Sequence, residues 1–210
     1  MGITERKERE KQRRREDIVL AAEKVFFSKG FEHATMDDIA DQVELSKGTL
    51  YLYFKGKEDL HLAVALKAIG LLNSMTHTIG EMKLNALEKL VKLGLTFIGF
   101  SKKFPDHMNA ILSLEGVDFK KISSTANDLR LFIYQESPVR QVLEFIDEGI
   151  EEKSIRNDIP PIIIANTLWI QMLGVIQMAL KRRVLFEMIE LTPEDLYKNH
   201  IELVLNGIKQ

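Results

Sequence analysis

Residues 35–60, TMDDIADQVELSKGTLYLYFKGKEDL, decide the fold of this chain. Thr35 and Asp38 stand three residues apart, in capping-box positions for the start of a helix. Ile39 and Val43 then recur at the spacing of a buried helical face. The segment therefore predicts a short helix that begins just after its first residue and is followed by a tight turn.

The second half of the segment predicts another short helix that is rich in phosphate-seeking side chains. Ser46 can cap this helix, which then carries Lys47, Thr49, Tyr51 and Tyr53. Two helices with so short a link are the geometry of a helix-turn-helix, whose second helix enters the DNA major groove. For each tyrosine, packing against the core is the alternative interpretation, because tyrosine can bury its ring and leave its hydroxyl in water.

These residues resemble the TetR family of bacterial transcriptional regulators. The family pattern joins a Phe/Gly turn, a T-x-x-x-I-A element and a stretch of the form S-K-G-T-L-Y-x-Y/H-F-x-x-K-E-x-L. The matching residues, within about 14–62, are Phe26, Phe27, Gly30, Phe31, Thr35, Ile39, Ala40, Ser46, Lys47, Gly48, Thr49, Leu50, Tyr51, Tyr53, Phe54, Lys57, Glu58 and Leu60. Position 44 departs from the pattern, because the family usually has Gly there and this chain has Glu. If Glu44 has a positive φ, it costs about 1 kcal/mol relative to Gly.

The resemblance implies which side chains contact DNA. Tyr51, Tyr53 and Lys57 match the family's phosphate-contacting positions, and Lys47 can reach a phosphate or a guanine edge. We expect the DNA-binding set to be Arg14, Thr35, Ser46, Lys47, Gly48, Thr49, Tyr51, Tyr53 and Lys57.

Composition predicts an all-α fold and excludes several kinds of chemistry. The chain has 210 residues, of which only five are proline and none is cysteine. Disulfides, thiolate zinc sites and thiol catalysis are therefore excluded. The five histidines show no metal-ligand spacing, and no nucleophile elbow, P-loop or dinucleotide fingerprint is present. We expect no catalysis, no cofactor and no metal. The charged N-terminus is unlike a secretory signal, which favours a cytoplasmic protein.

The basic N-terminal segment offsets a net charge of −2 that by itself argues against nucleic-acid binding. Residues 5–15 contain seven basic side chains and three acidic ones, a local excess of four. One interpretation is a frayed, solvated arm, and the other is an arm that lies along phosphates or enters the minor groove. Both hold if the arm is disordered in the free protein and ordered on DNA.

The sequence predicts two domains, a helix-turn-helix domain with its basic arm over 1–56 and a larger helical domain over 57–210. The first holds three helices, of which the first is predicted over about 14–29. A fourth helix begins near Glu58, and the remaining helices are predicted over about 84–103, 105–116, 124–136, 138–153, 160–184 and 193–208. Alternatively, Pro138 kinks one long helix over 124–153.

An uncharged run at 159–180 followed by Lys181-Arg182-Arg183 predicts a helix that is buried on more than one side. A transmembrane helix fits the length, but Pro160-Pro161 and four polar residues argue against a membrane. TetR-like proteins typically dimerise through their last two helices, so the resemblance implies a homodimer that reads two half-sites of a palindrome. The predicted interface residues are Ala165, Leu168, Met172, Val175, Ala179, Ile201, Val204 and Leu205.

The resemblance also implies an effector cavity in the second domain, with ligand binding altering the separation of the two DNA-reading heads. Apolar and aromatic residues at helical spacing are candidates for its lining, although core packing is the ordinary alternative. They are Met75, Phe97, Phe100, Phe104, Met108, Trp169, Gln171 and Met172. This composition favours a hydrophobic or amphipathic small molecule.

Together, these features predict a dimeric transcriptional regulator, expected to be a repressor that releases operator DNA when a small molecule binds. The alternative is a helical small-molecule-binding or interaction protein whose helix-turn-helix no longer binds DNA, an idea to which Glu44 and the low net charge lend weight.

Overall fold

The computed structural model describes residues 2–116 and 138–210, and every regular element in these ranges is helical. The described residues form two compact units. One contains the residues up to Ala68 together with 113–116, and the other contains Ile69–Leu112 and the residues from Pro138 onward. The all-α prediction is confirmed. The predicted helix at 124–136 falls outside the described residues, as does the part of the alternative long helix over 124–153 that precedes Pro138.

The first unit is built from α1 (Ile3–Lys29), α2 (Met36–Gln42), α3 (Lys47–Tyr53) and the first half of α4 (Lys57–Thr76). Its core contains fully buried side chains from all four helices, among them Ile18, Ile39, Leu50 and Leu60. The apolar periodicity of each helix is therefore directed at one common centre.

Helix α1 begins about eleven residues earlier than its apolar pattern predicts. The basic segment is helical and exposed, and pairs four residues apart support it, with Arg6 Nε 3.0 Å from Glu10 Oε1 and Gln12 Nε2 3.0 Å from Glu16 Oε1. The helix ends at Lys29 and is capped by Gly30, which has φ 77° and donates its N–H to the Phe26 carbonyl. The N-terminal segment is thus an extension of α1 and not an irregular arm.

The second unit contains the rest of α4 and the helices that follow it. They are a 3₁₀ turn (His77–Glu81), α5 (Ala86–Lys103), α6 (Pro105–Leu112), α7 (Pro138–Glu151), α8 (Pro161–Lys181), α9 (Arg183–Met188) and α10 (Pro193–Ile208). A second 3₁₀ turn, Ser113–Gly116, follows α6. Helix α10 has the predicted bounds, and Thr192 Oγ1 accepts the predicted capping hydrogen bond from Asp195 N at 3.1 Å.

The predicted helix at 160–184 is two helices in the structure. Arg182 leaves helical geometry, with φ −119° and ψ 33°, so α8 ends at Lys181 and the short helix α9 begins. The apolar pattern alone does not reveal this break, because apolar residues continue through it at helical spacing.

Close packing joins α5 to α7 and to the turn after α7. Lys89 is almost fully buried, and its Nζ lies 2.5 Å from Glu148 Oε1 and 2.8 Å from Oε2. At Gly149, a Cβ atom would overlap the Ile155 side chain and lie 3.1 Å from the Cβ of Ala86. The absence of a side chain at position 149 therefore permits this approach.

Two stretches of the described residues, Lys57–Glu81 and Pro161–Lys181, are long and apolar enough to cross a membrane. Core helices of globular proteins meet the same criterion, and both stretches bury many of their apolar side chains in the protein. They are weak evidence for a membrane protein.

Candidate nucleic-acid interface and ligand cavity

The turn between α2 and α3 brings Glu44 into the left-handed region, with φ 56°. Its N–H donates to the Asp41 carbonyl at 3.2 Å, and Leu45 N donates to the Ala40 carbonyl at 3.0 Å. The positive φ considered from the sequence is therefore present. The strain at Glu44 is local, since both flanking helices keep their predicted starts at Met36 and Lys47.

Helix α3 is fixed by one buried side and leaves the opposite side open. Leu50 and the following Phe54 are fully buried, and the guanidinium of Arg15 lies 4.8 Å from the Phe54 ring centroid. Ser46 Oγ accepts from Thr49 N at 3.2 Å and caps the helix as predicted. Since successive residues are 100° apart, this anchoring exposes Lys47, Gly48, Tyr51 and Leu52 together.

Lys47 is held by an acidic side chain of the preceding helix. Its Nζ lies 2.7 Å from Asp37 Oδ1 and 2.9 Å from Asp37 Oδ2, and both side chains are more than half exposed. The hydrogen bond with Asp37 raises the pKa of the Lys47 ammonium. The N-terminal ends of α2 and α3 therefore present a joined donor and acceptor to solvent.

Thr35 forms the predicted capping box at the start of α2. Its Oγ1 accepts from Asp38 N at 3.1 Å, and its own N–H donates to Asp38 Oδ2 at 3.0 Å. Lys29 Nζ lies 2.6 Å from Asp38 Oδ1, and this hydrogen bond, followed by those from Thr35, lowers the pKa of the Asp38 carboxyl. The structure thus places Thr35 in a cap that is itself exposed to solvent.

The ammonium of Lys57 binds the protein backbone. It donates to the Phe31 carbonyl at 2.9 Å and to the Glu32 carbonyl at 3.2 Å, and it lies 4.5 Å from the Phe31 ring centroid. These contacts tie the start of α4 to the turn after α1. The phosphate contact predicted for Lys57 must therefore compete with a structural role that the sequence did not indicate.

Three further predicted DNA-binding residues have different surroundings. Arg14 is exposed on α1, Tyr51 is 44% exposed on α3, and Tyr53 is half-buried on the same helix. The structure brings Tyr51 together with Lys47 on the open side of α3. Tyr53 fits a contact made by its hydroxyl while its ring packs on the protein.

Two residues at this surface were missed by the sequence reasoning. One is Asp37, whose pairing with Lys47 across ten residues has no local sequence signal. Leu52 is 82% exposed, although it is a large apolar side chain on a helix of a folded unit. Its position two residues after the buried Leu50 could have revealed this exposure, because such residues face away from each other.

A small cavity lies inside the second unit, between α5, α7, α8 and α10. Its volume is about 60 Å³, and its lining includes Phe97, Val142, Trp169, Met172 and Val204. The rings of Phe97 and Trp169 meet edge to face, with centroids 5.3 Å apart. A cavity of this size is far below the roughly 300 Å³ typical of ligand pockets.

The cavity contains three of the eight residues predicted for an effector pocket, namely Phe97, Trp169 and Met172. Phe100 and Met108 are buried in core packing elsewhere, and Met75 and Phe104 are partly exposed. Gln171 is exposed and does not line the cavity, because it lies one residue and therefore 100° round α8 from the buried Met172. The structure thus gathers only part of the predicted set.

An open groove of about 830 Å³ runs between α8 and α10 on the surface of the second unit. Its lining is largely apolar and includes Ile163, Gly174, Met178 and Leu203. Ile170 does not line the groove but lies beside it, one helical turn before Gly174 on α8, and is 62% exposed. Exposed apolar residues continue into and just beyond α9 as Val184, Leu185, Met188 and Ile189. A monomer rarely exposes so continuous an apolar surface.

The predicted dimer residues lie at different depths beside this groove. Ala165, Met172 and Ala179 are buried within their own chain, whereas Leu168, Val175 and Val204 are half-buried and line the groove. Ile201 and Leu205 line the internal cavity. The exposed side of α8 is therefore not the side on which all the predicted interface residues lie. Ala165, Met172 and Ala179 instead pack inside their own chain.

Comparison with known proteins gives matches in both units. Residues 18–64 match the family described as bacterial regulatory proteins, tetR family. The HTH-type transcriptional activator FasR of Mycolicibacterium smegmatis is 45% identical over 51 residues, which are 24% of this chain and 23% of FasR. The HTH-type transcriptional repressor KstR2 of the same organism is 26% identical over 165 residues, or 75% of this chain and 77% of KstR2.

A solved structure extends the likeness to nearly the whole chain. The MbdR regulator from Azoarcus sp. CIB has a TM-score of 0.65 and 25% identity, covering 91% of this chain and 97% of that one. The fold and the helix-turn-helix surface define a DNA-binding transcription regulator. The DNA-binding segment of the chain, residues 18–64, belongs to the tetR family of bacterial regulatory proteins.

Proposed function

We propose that this protein is a dimeric repressor that binds palindromic operator DNA and is released by a small hydrophobic or amphipathic effector. The observation that carries the proposal is the open side of α3, where Lys47 and Tyr51 are exposed while Leu50 anchors the helix. A recognition helix must be held rigidly and must present donors to the groove, and this arrangement does both.

The repressing sign of regulation is supported by the longer of the two sequence matches. KstR2 is named a repressor and aligns over three quarters of this chain, whereas FasR is named an activator and aligns over only 51 residues. We assign repression to this chain on that basis. The proposed location is the cytoplasm, where a regulator of transcription meets its operator.

A second copy of this chain is the proposed occupant of the groove between α8 and α10. The groove side of α8 has no charged residue from Ile162 to Leu180, and Gly174 lets a partner helix approach closely. Pairing this surface with itself would bury Ile170 and Met178 and would produce a two-fold symmetric dimer. Such a dimer supplies the two recognition helices that a palindromic site requires.

The cavity beside Phe97 and Trp169 is the proposed effector site. Its lining is mostly apolar, which suits a hydrophobic group, and the half-buried His200 at its edge can hydrogen-bond a polar one. Since the volume is about 60 Å³, an effector must separate α5, α8 and α10 to enter. That separation is the proposed source of the conformational change.

Binding to DNA fragments from upstream of its own gene, measured at several salt concentrations, tests the proposal. A regulator that neutralises several phosphates loses affinity steeply as salt rises. Mass spectrometry of small molecules that co-purify with the native protein tests the effector. A dimer that binds every fragment equally weakly, with a flat salt dependence, would support the alternative of a small-molecule-binding protein with a vestigial helix-turn-helix.

A further inference from the structure

The paired side chains of Asp37 and Lys47 suggest a role that neither residue has alone. They come from different helices, α2 and α3, and both are exposed beside the open side of the recognition helix. Surface ion pairs contribute little to stability. Their position at the DNA-facing surface therefore calls for an explanation other than holding the two helices together.

The pair offers one donor and one acceptor at a fixed separation. Lys47 Nζ lies 2.7 Å from Asp37 Oδ1 and 2.9 Å from Asp37 Oδ2. In the major groove, a G·C pair presents the O6 acceptor of guanine next to the N4 donor of cytosine. These two atoms are hydrogen-bonded to each other, so they too are about 2.9 Å apart. The protein pair and the base-pair edge are thus complementary in both chemistry and spacing.

We propose that Asp37 and Lys47 together read one G·C base pair in each half-site of the operator, with Lys47 donating to guanine and Asp37 accepting from cytosine N4. The proposal rests on the proposed operator binding and adds Asp37 as a specificity-determining residue. Because the two groups already hold each other, little side-chain entropy is lost when the base pair is bound.

An A·T pair also presents a donor beside an acceptor, but it fits less well. Guanine offers the ammonium two acceptors, O6 and N7, whereas thymine offers O4 alone and places its methyl group next to it. The ammonium of Lys47 would be pressed against that methyl group. The Asp37–Lys47 ion pair should therefore prefer a G·C base pair to an A·T base pair.

Selection of bound sites from a pool of random double-stranded DNA, followed by sequencing, tests the inference. We compare the wild type with Asp37→Ala, Lys47→Ala and the matched control Asp41→Ala. Asp41 is an exposed acid of the same helix, so its removal changes the net charge equally. We expect the wild type to select a site with a G·C pair in each half-site. Asp37→Ala and Lys47→Ala should each lose about tenfold or more in preference at that same pair.

Three outcomes would overturn the inference. In the first, Asp37→Ala selects the wild-type site with unchanged preference at every position, which would leave the ion pair a surface contact. In the second, Asp37→Ala and Lys47→Ala relax different base pairs. In the third, the shared position is an A·T pair. A wild type that selects no sequence at all would remove the proposed operator binding as well, so the two failures are distinguishable. The control should retain the wild-type preference.

Discussion

The buried ring of His61 is joined to Ser113 by a hydrogen bond of 2.9 Å between Nε2 and Oγ. Within the described residues its Nδ1 is buried and has no hydrogen-bond partner. The ring also packs on Phe31 and Phe26, with centroids 4.3 and 5.9 Å away. Burial lowers the pKa of His61, with Lys57 acting in the same direction and Glu58 opposing it.

We expect His61 to make the protein less stable in mild acid. Its pKa is lower in the folded state than the value of about 6.5 in the unfolded chain, so the unfolded state binds more protons as pH falls. Stability therefore decreases as pH falls through about 6.5, until the folded ring is also protonated. Urea unfolding of the wild type and of His61→Gln, measured from about pH 7.5 to 5.5, isolates this contribution.

The comparison between the two proteins decides the result, because carboxylates also contribute to acid sensitivity. His61→Gln should have a shallower dependence of stability on pH than the wild type. His33→Gln, which alters an exposed histidine of the same unit, should retain the wild-type dependence. Equal slopes for His61→Gln and the wild type would refute the prediction.

Glu44→Gly should stabilise the protein by about 1 kcal/mol. Glu44 has φ 56°, a conformation that glycine adopts without the clash between Cβ and backbone. The measurement is the free energy of unfolding in urea. The control is Glu16→Gly in the middle of α1, which makes the same replacement at a helical φ and should destabilise by about 1 kcal/mol. Loss of stability in Glu44→Gly would show that the turn tolerates Glu without strain.

Gly149→Ala should destabilise the protein by about 1–3 kcal/mol, because the added methyl group would overlap Ile155 and crowd Ala86. The control is Gly99→Ala on α5, where no atom lies within 4 Å of the added Cβ. That substitution should stabilise α5 by up to about 1 kcal/mol. Thermal unfolding of both variants checks the prediction, and equal effects would contradict it.

Ile170→Glu should convert the proposed dimer into a monomer at micromolar concentration. Ile170 is 62% exposed beside the groove on α8, and the proposed dimer would bury a carboxylate there without a partner. Light scattering after size exclusion gives the mass directly. Leu95→Glu, at a similarly exposed leucine of α5, should remain dimeric. A dimeric Ile170→Glu would place the interface elsewhere.

Tyr51→Ala and Lys57→Ala should weaken DNA binding for different reasons. Tyr51 is exposed on α3, so its removal should lower affinity for all sequences and leave the free energy of unfolding unchanged. Lys57 binds the Phe31 and Glu32 carbonyls, so its removal should also destabilise the first unit. Fluorescence anisotropy and urea unfolding separate the two effects. The double variant should have a flatter salt dependence, and unchanged binding would refute the assignment.

The sequence predicts the DNA-binding unit well because its signals are local. The caps at Thr35 and Ser46, and the buried position of Ile39, follow from spacings of three or four residues. The contacts of Lys47 with Asp37 and of Lys57 with Phe31 link residues ten or more apart. Such contacts depend on how the helices pack, which periodicity does not specify.

The buried and exposed sides of helices in the second unit are harder to predict from the sequence, because a helix such as α8 has apolar residues on nearly all its sides. In α8, Met172 is buried against its own chain, while Ile170 and Gln171 are exposed. A helix that is apolar nearly all round does not reveal which side faces its own core. The break at Arg182 is another case, since its backbone angles and not its residue type end α8.

The helical form of the basic N-terminal segment limits how many of its charges can act on one DNA strand at once. On a helix the seven basic residues from Arg6 to Arg15 fall on two sides, with Lys7, Lys11, Arg14 and Arg15 on one and Arg6, Arg9 and Arg13 on the other. One chain can therefore neutralise about four phosphates with this segment. The segment should then contribute about 3.6 to the slope of log binding constant against log salt concentration. A flexible segment that used all seven basic residues would contribute about 6.3.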